Sequence, residues 1–145
     1  MANTIQITVE QQGRATSEAA IRKHRVLIDR PEAKAGDDRG PMGGELLLAA
    51  LGGCFMSNLL AAIAAREEKV ANVRTTVTGT LDGTPPRFVA IDATVSADCE
   101  DPELLEKLVT IAERSCIVAN TLKDAVELRV SVDRVAVGAG SAAES

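Results

Sequence analysis

Apolar and polar positions alternate from Thr4 to Glu10, with Ile5, Ile7 and Val9 on one face and Thr4, Gln6, Thr8 and Glu10 on the other. That period of two predicts a half-buried strand over 4–10. A polar turn around Gln12-Gly13-Arg14 follows, and residues 20–29, AIRKHRVLID, read as a second strand. Pro31 to Gly44 is rich in Gly, Pro and Asp and reads as a loop. From Glu45 to about Lys69 the pattern turns helical and is apolar nearly all round, as expected of a helix packed on several sides.

Val73, Thr75, Val77 and Leu81 share one face of a following strand, and Val89, Ile91, Ala93 and Val95 one face of the next. Between them Asp82-Gly83-Thr84-Pro85-Pro86 is turn chemistry, so the pair reads as a hairpin. Asp101 is placed to cap a helix with Pro102 at its first position, where a missing N–H costs nothing. Leu104, Leu105, Leu108, Ile111 and Ala112 give that helix an apolar stripe. A break near Ser115 leads to a short turn or second helix through Leu122. The last strand then turns Val126, Leu128, Val130 and Val132 inward and Glu127, Arg129, Ser131 and Asp133 outward. Residues 138–145, small and polar, are expected to be a disordered tail.

The order of elements predicts an α+β fold with mainly antiparallel sheets packed on a long central helix, one domain over 1–137. Leu46 to Ala65 carries no charge and is long enough in principle to span a bilayer. Gly52, Gly53, Ser57 and Asn58 near its middle, and alanines in place of larger apolar residues, favour a buried core helix instead. Such a helix has more apolar surface than one small sheet covers, which favours a dimer.

Composition narrows the function. The 145 residues carry net charge -5, which argues against a non-specific nucleic-acid binder. With Phe55 and Phe88 the only aromatics, base-stacking platforms are nearly excluded too. The single histidine, His24, reads as a strand residue near the surface; one histidine leaves no histidine-rich metal site and makes a Ser/His/Asp hydrolase hard to assemble. MANTIQITVEQQGR lacks the basic and apolar regions of a secretory signal, so a cytoplasmic location is expected.

The cysteines remain as candidate chemistry: Cys54, Cys99 and Cys116, an odd and sparse set that is not a disulfide framework. Cys54 follows Gly52-Gly53 inside the long helix. Each glycine there costs about 1 kcal/mol relative to alanine, so close approach of another element, or access for a small substrate, is expected. Cys116 follows the break at Ser115, near a helix N-terminus whose unpaired N–H groups favour a thiolate. Cys99 lies among Asp98, Glu100 and Asp101, which disfavour one. The plain alternative is that each thiol packs as a small apolar side chain.

GPMGGELLLAALGGCFMSNL around Cys54 and SCIVANTLKDAVEL around Cys116 together resemble the two signature segments of the OsmC/Ohr superfamily, the osmotically inducible and organic hydroperoxide resistance proteins. The second segment resembles C-P-V-S-N-T-L, with Ile117 in place of proline and Ala119 in place of serine. The resemblance implies an OsmC-like fold, an intertwined homodimer and a thiol-dependent peroxidase acting on organic hydroperoxides. It makes Cys54 the peroxidatic thiolate and Cys116 the resolving thiol, with an external dithiol, on family precedent a lipoylated protein, as reductant. No metal, flavin or haem is implied, and neither a nucleic acid nor a membrane is expected as partner.

Members of the family steady the thiolate with an arginine held by a glutamate. Arg14 best matches the position of that arginine and Glu45 would be the glutamate, with Arg39 a rival for the cation. Glu45 stands nine residues before Cys54, with Gly44 at the tenth place used by the better-known peroxidases. One position turns a helical side chain by about 100°, and the run HRVLID followed by a glycine-rich loop is closer to the OsmC-like branch. The competing reading within that branch is a binding or stress-associated module whose cysteines are inert. Leu46, Leu47, Leu51, Met56 and Ile117 are expected to line an aliphatic pocket.

Overall fold

The computed structural model describes residues 2–133, so the expectation for 138–145 lies outside them. The chain forms two compact units, Met1–Leu47 and Leu48–Ser145.

In the first unit, strands β1 (Thr8–Gln11), β2 (Ser17–Ile21) and β3 (His24–Ile28) form an antiparallel sheet in that order. The expected strand over 20–29 is in fact the two halves of a hairpin. Arg22 takes φ of 54° and the chain reverses in two residues, pairing Ile21 with His24. Two-residue turns of this kind usually announce themselves with Asn or Gly; Arg22-Lys23 does not. His24 opens β3 at the surface, as expected. The first strand is shorter than its alternation suggests, and its apolar face is uncovered: Ile5, Ile7 and Val9 are all exposed. Ala19, Thr16 and Asp29 are the buried side chains at the centre of this unit. A 3-10 turn, Glu32–Lys34, interrupts the expected loop.

Helix α1 (Gly43–Ala65) begins at the end of this unit and continues into the second. By length and composition it could cross a membrane. Here Leu51, Phe55, Leu59, Ala62 and Ile63 form one face of the core of the second unit. Strands β4 (Ala71–Asp82) and β5 (Arg87–Asp98) make the expected antiparallel hairpin. Ile91, Ala93, Val95 and Ala97 of β5 are buried, alternating with less buried neighbours as a period of two requires.

Helix α2 (Pro102–Arg114) starts as its sequence dictates: the Asp101 carboxylate accepts the main-chain N–H groups of Glu103 and Leu104. Its stripe buries Leu105, Leu108, Val109 and Ala112. After Ser115, helix α3 (Ile117–Leu122) completes the crossover to β6 (Glu127–Val132). This crossover returns the chain to the same end of the sheet, so β6 runs parallel to β5 in the order β4-β5-β6. The fold is α+β with two sheets, antiparallel apart from that last pairing. On the outer side of the sheet Arg129 pairs with Asp92, its partner in register, and with Glu127.

Candidate active site

Cys54 lies in the middle of α1, directly after two glycines. A Cβ at Gly52 would come within 3.1 Å of Val77 Cγ2, so β4 approaches the helix closely there; at Gly53 the space is open. Beside them Leu48, Ala49, Met56, Thr75 and Val77 line an apolar cavity of about 450 Å³. Of the five expected pocket residues, Met56 alone lines it. Leu51 is sealed in the core instead, because its place on the helix faces the sheet and helices, and Leu47 and Ile117 point to the exterior.

The Cys54 sulfur meets the start of α3. Burial works against its ionisation, but the Val118 N–H, the Cys116 thiol and the Ile117 N–H all donate to it, and together they hold its pKa below the ordinary thiol value. Cys116 is the N-cap of α3 and is fully buried. Burial pushes its thiol up. The Ala119 N–H, donated to Cys116 Sγ at 3.4 Å, opposes this, but donation to Cys54 and the charge on Cys54 add to the rise. Two thiols that are far apart in sequence thus meet, and of the two Cys54 ionises the more readily. Cys99 takes no part in this pair; it is buried and donates its S–H to the Asp101 carbonyl at 3.2 Å.

Arg14, Arg39 and Glu45 belong to the first unit. Arg14 donates to the Asp37 carboxylate at 2.7 Å and to the Ala35 carbonyl at 3.1 Å. Glu45 accepts the Met42 N–H at 2.8 Å. With Met42 just before the helix and Glu45 at its third position, this is the reciprocal half of a capping box, which explains the glutamate without any arginine. Arg39 Nη1 lies over the turn before Arg14, 3.3 Å from where a Cβ on Gly13 would stand.

Asp29 escaped the sequence reading. Its buried carboxylate accepts the Thr16 hydroxyl at 2.7 Å and the main-chain N–H groups of Arg30, Asp37 and Arg39. Burial alone would raise its pKa; those four donors lower it to about 2. The one signal available was an acidic residue directly ending an apolar strand, in VLID. The N–H donors of Ile117 and Val118 carry no sequence signal beyond the break at Ser115.

Residues 36–131 match the model of the OsmC-like protein family. No functionally curated protein matches the sequence. Among solved structures, an OsmC-like protein from Mycoplasma pneumoniae shares the fold with a TM-score of 0.77 and 19% identity, over 94% of this chain and 99% of that one. An organic hydroperoxide resistance protein from Legionella pneumophila does so with a TM-score of 0.72 and 17% identity, over 92% and 100%. One from Bacillus subtilis gives 0.66 and 18%, over 90% and 98%. At these identities the likeness is one of fold. The matched stretch contains both cysteine segments and the elements that bring them together, and on that ground the chain belongs to the OsmC-like protein family.

Proposed function

We propose that this protein is a cysteine-based peroxidase that reduces organic hydroperoxides. The observation that carries the reading is the contact between Cys54 and Cys116, with the N–H groups of Ile117 and Val118 turned on the first sulfur. The names of fold neighbours from Legionella pneumophila and Bacillus subtilis as organic hydroperoxide resistance proteins support it.

In the proposed reaction the Cys54 thiolate attacks the distal oxygen of the hydroperoxide. An S–O bond forms, the O–O bond breaks, and the alkoxide leaves and is protonated to the alcohol. The Cys116 sulfur, losing its proton, then attacks the sulfenic acid; water departs and a disulfide forms. An external dithiol, carried on a lipoylated protein in our reading, reopens it by thiol exchange. Arg14 is proposed as the cation that steadies the thiolate and the departing alkoxide. We assign the orienting of its guanidinium to Asp37, its partner in the structure, and leave to Glu45 the start of α1.

The apolar cavity over Gly52 and Gly53, the two residues directly before Cys54, supports an organic substrate over hydrogen peroxide, although the Cys54 side chain is not itself part of its lining. A homodimer in the cytoplasm is part of the same proposal. Ile5, Val9, Leu60, Leu81 and Ile117 are each at least half exposed, apolar surface that a second subunit would cover.

Titration of free thiols before and after one equivalent of cumene hydroperoxide tests the reaction. Wild type should lose two thiols, Cys116→Ser one and Cys54→Ser none. Retention of all thiols in wild type leaves the fold without the chemistry. Equal rates with cumene hydroperoxide and hydrogen peroxide would reject the organic preference, and a monomeric mass by sedimentation equilibrium would reject the dimer.

A further inference from the structure

We infer that Asp29 is the positioning residue for Arg14, acting through the loop between β3 and α1. The inference rests on the role proposed above for Arg14.

Asp29 directly follows β3, and its carboxylate is closed off from solvent. Oδ2 accepts the Thr16 hydroxyl at 2.7 Å and the Arg39 N–H at 3.2 Å; Oδ1 accepts the Arg30 N–H at 2.7 Å and the Asp37 N–H at 3.4 Å. A carboxylate has about four acceptor positions, and here all are taken by one strand end and one loop. Such a group has no capacity left for a substrate or a metal. What it does is fix the backbone at both ends of residues 30–39.

The rest of that loop depends on the same anchorage. Asp38 N–H donates to the Arg30 carbonyl at 2.9 Å, and Asp29 N–H to the Pro41 carbonyl at 3.0 Å. Gly36 is pressed so close to Arg30 that a Cβ would fall 2.0 Å from its carbonyl oxygen. Ala35 and Asp38 take φ of 66° and 53°, in the left-handed region, which aspartate tolerates and alanine disfavours.

Both acceptors of Arg14 come from this loop: the Ala35 carbonyl and the Asp37 carboxylate. The Arg14 and Asp37 side chains are 64% and 43% exposed, so the ion pair by itself holds the guanidinium only weakly. Its direction is set by where the loop presents the two acceptors, and the loop is set by Asp29. The other arginine, Arg39, has its main-chain N–H on the same carboxylate.

The experiment is a double-mutant cycle on the rate constant for Cys54 oxidation by cumene hydroperoxide. Wild type, Asp29→Asn, Arg14→Ala and the double variant are compared, with thermal melts as a folding check. Asp29→Asn keeps the shape but turns an acceptor into a donor. It should slow wild type roughly ten- to hundredfold, the scale of a misplaced catalytic group, and slow Arg14→Ala less than twofold. Equal losses in the two backgrounds would mean general damage and overturn the inference.

Thr16→Val, which removes one donor and retains the carboxylate, should reproduce a smaller loss that likewise vanishes in Arg14→Ala. Trypsin supplies a readout free of activity, because Lys34 and Arg39 lie in the loop. Faster cleavage there in Asp29→Asn is expected, and an unchanged digest would overturn the inference whatever the rates. If Arg14→Ala alone left the rate untouched, the role proposed for Arg14 would fall while the digest still reported on Asp29.

Discussion

The Cys116 thiol donates to the Cys54 sulfur while its own sulfur accepts the Ala119 N–H. The arrangement has a direction: Cys54 collects donors and its pKa falls, whereas burial and the neighbouring charge push Cys116 up. Removing the donor should therefore weaken the nucleophile. In Cys116→Ala the pH midpoint for alkylation of Cys54 by iodoacetamide should rise. In Cys116→Ser, whose hydroxyl can still donate, it should stay nearer wild type. Identical midpoints in the two variants would show that the contact does not tune Cys54.

Much of the second unit was legible because its signals are local. Asp101-Pro102 marks a helix start, Asp82-Gly83 a hairpin turn, and the alternation in β5 and β6 states which side is buried. Cys54 and Cys116 could be singled out for a different reason, since their flanking segments resemble a family. The first unit was less legible. Arg22-Lys23 lacks turn residues, yet hydrogen bonding of β2 to β3 drives Arg22 into the left-handed region. Nothing local in sequence tells that Asp37, rather than Glu45, meets Arg14, because loop conformation decides it. The parallel setting of β6 was likewise hidden: its side-chain alternation is the same in either direction.

Asp29 predicts an acid-sensitive step. Its pKa is about 2 in the folded chain, against about 3.9 for an unfolded aspartate. The folded state therefore binds this proton less readily than the unfolded one. Its contribution to stability is complete above about pH 4 and fades as pH falls through the folded value near 2. Urea midpoints for wild type and Asp29→Asn should differ most at pH 5–7 and converge toward pH 2. A gap independent of pH would assign the loss to shape alone.

The core of the second unit supplies two calibrating substitutions. Leu108 is fully buried on α2, and Leu108→Ala should cost about 2–5 kcal/mol, the range for a large-to-small change in a packed core. Asp101 caps the same helix through two main-chain N–H groups, and Asp101→Ala should cost about 1 kcal/mol. Urea unfolding at neutral pH reads both. Similar costs for the two would mean that the α2 stripe is less well packed than its burial indicates.

Ile117 offers the sharpest separation of structure from electrostatics. It is the first residue of α3, a position where proline is well tolerated because that N–H has no partner within the helix. In this protein the N–H does have a partner outside the helix, the Cys54 sulfur. Ile117→Pro, which also restores the residue more usual in the family segment, removes that one donor and leaves Val118 and Cys116 in place. Thermal stability should change little, while the alkylation midpoint of Cys54 rises and its oxidation at pH 6 slows. A variant that melts early would mean that the bend at Cys116 cannot accept the ring. One that folds normally with an unmoved midpoint would mean that the Val118 N–H and the Cys116 thiol hold the charge without help from Ile117.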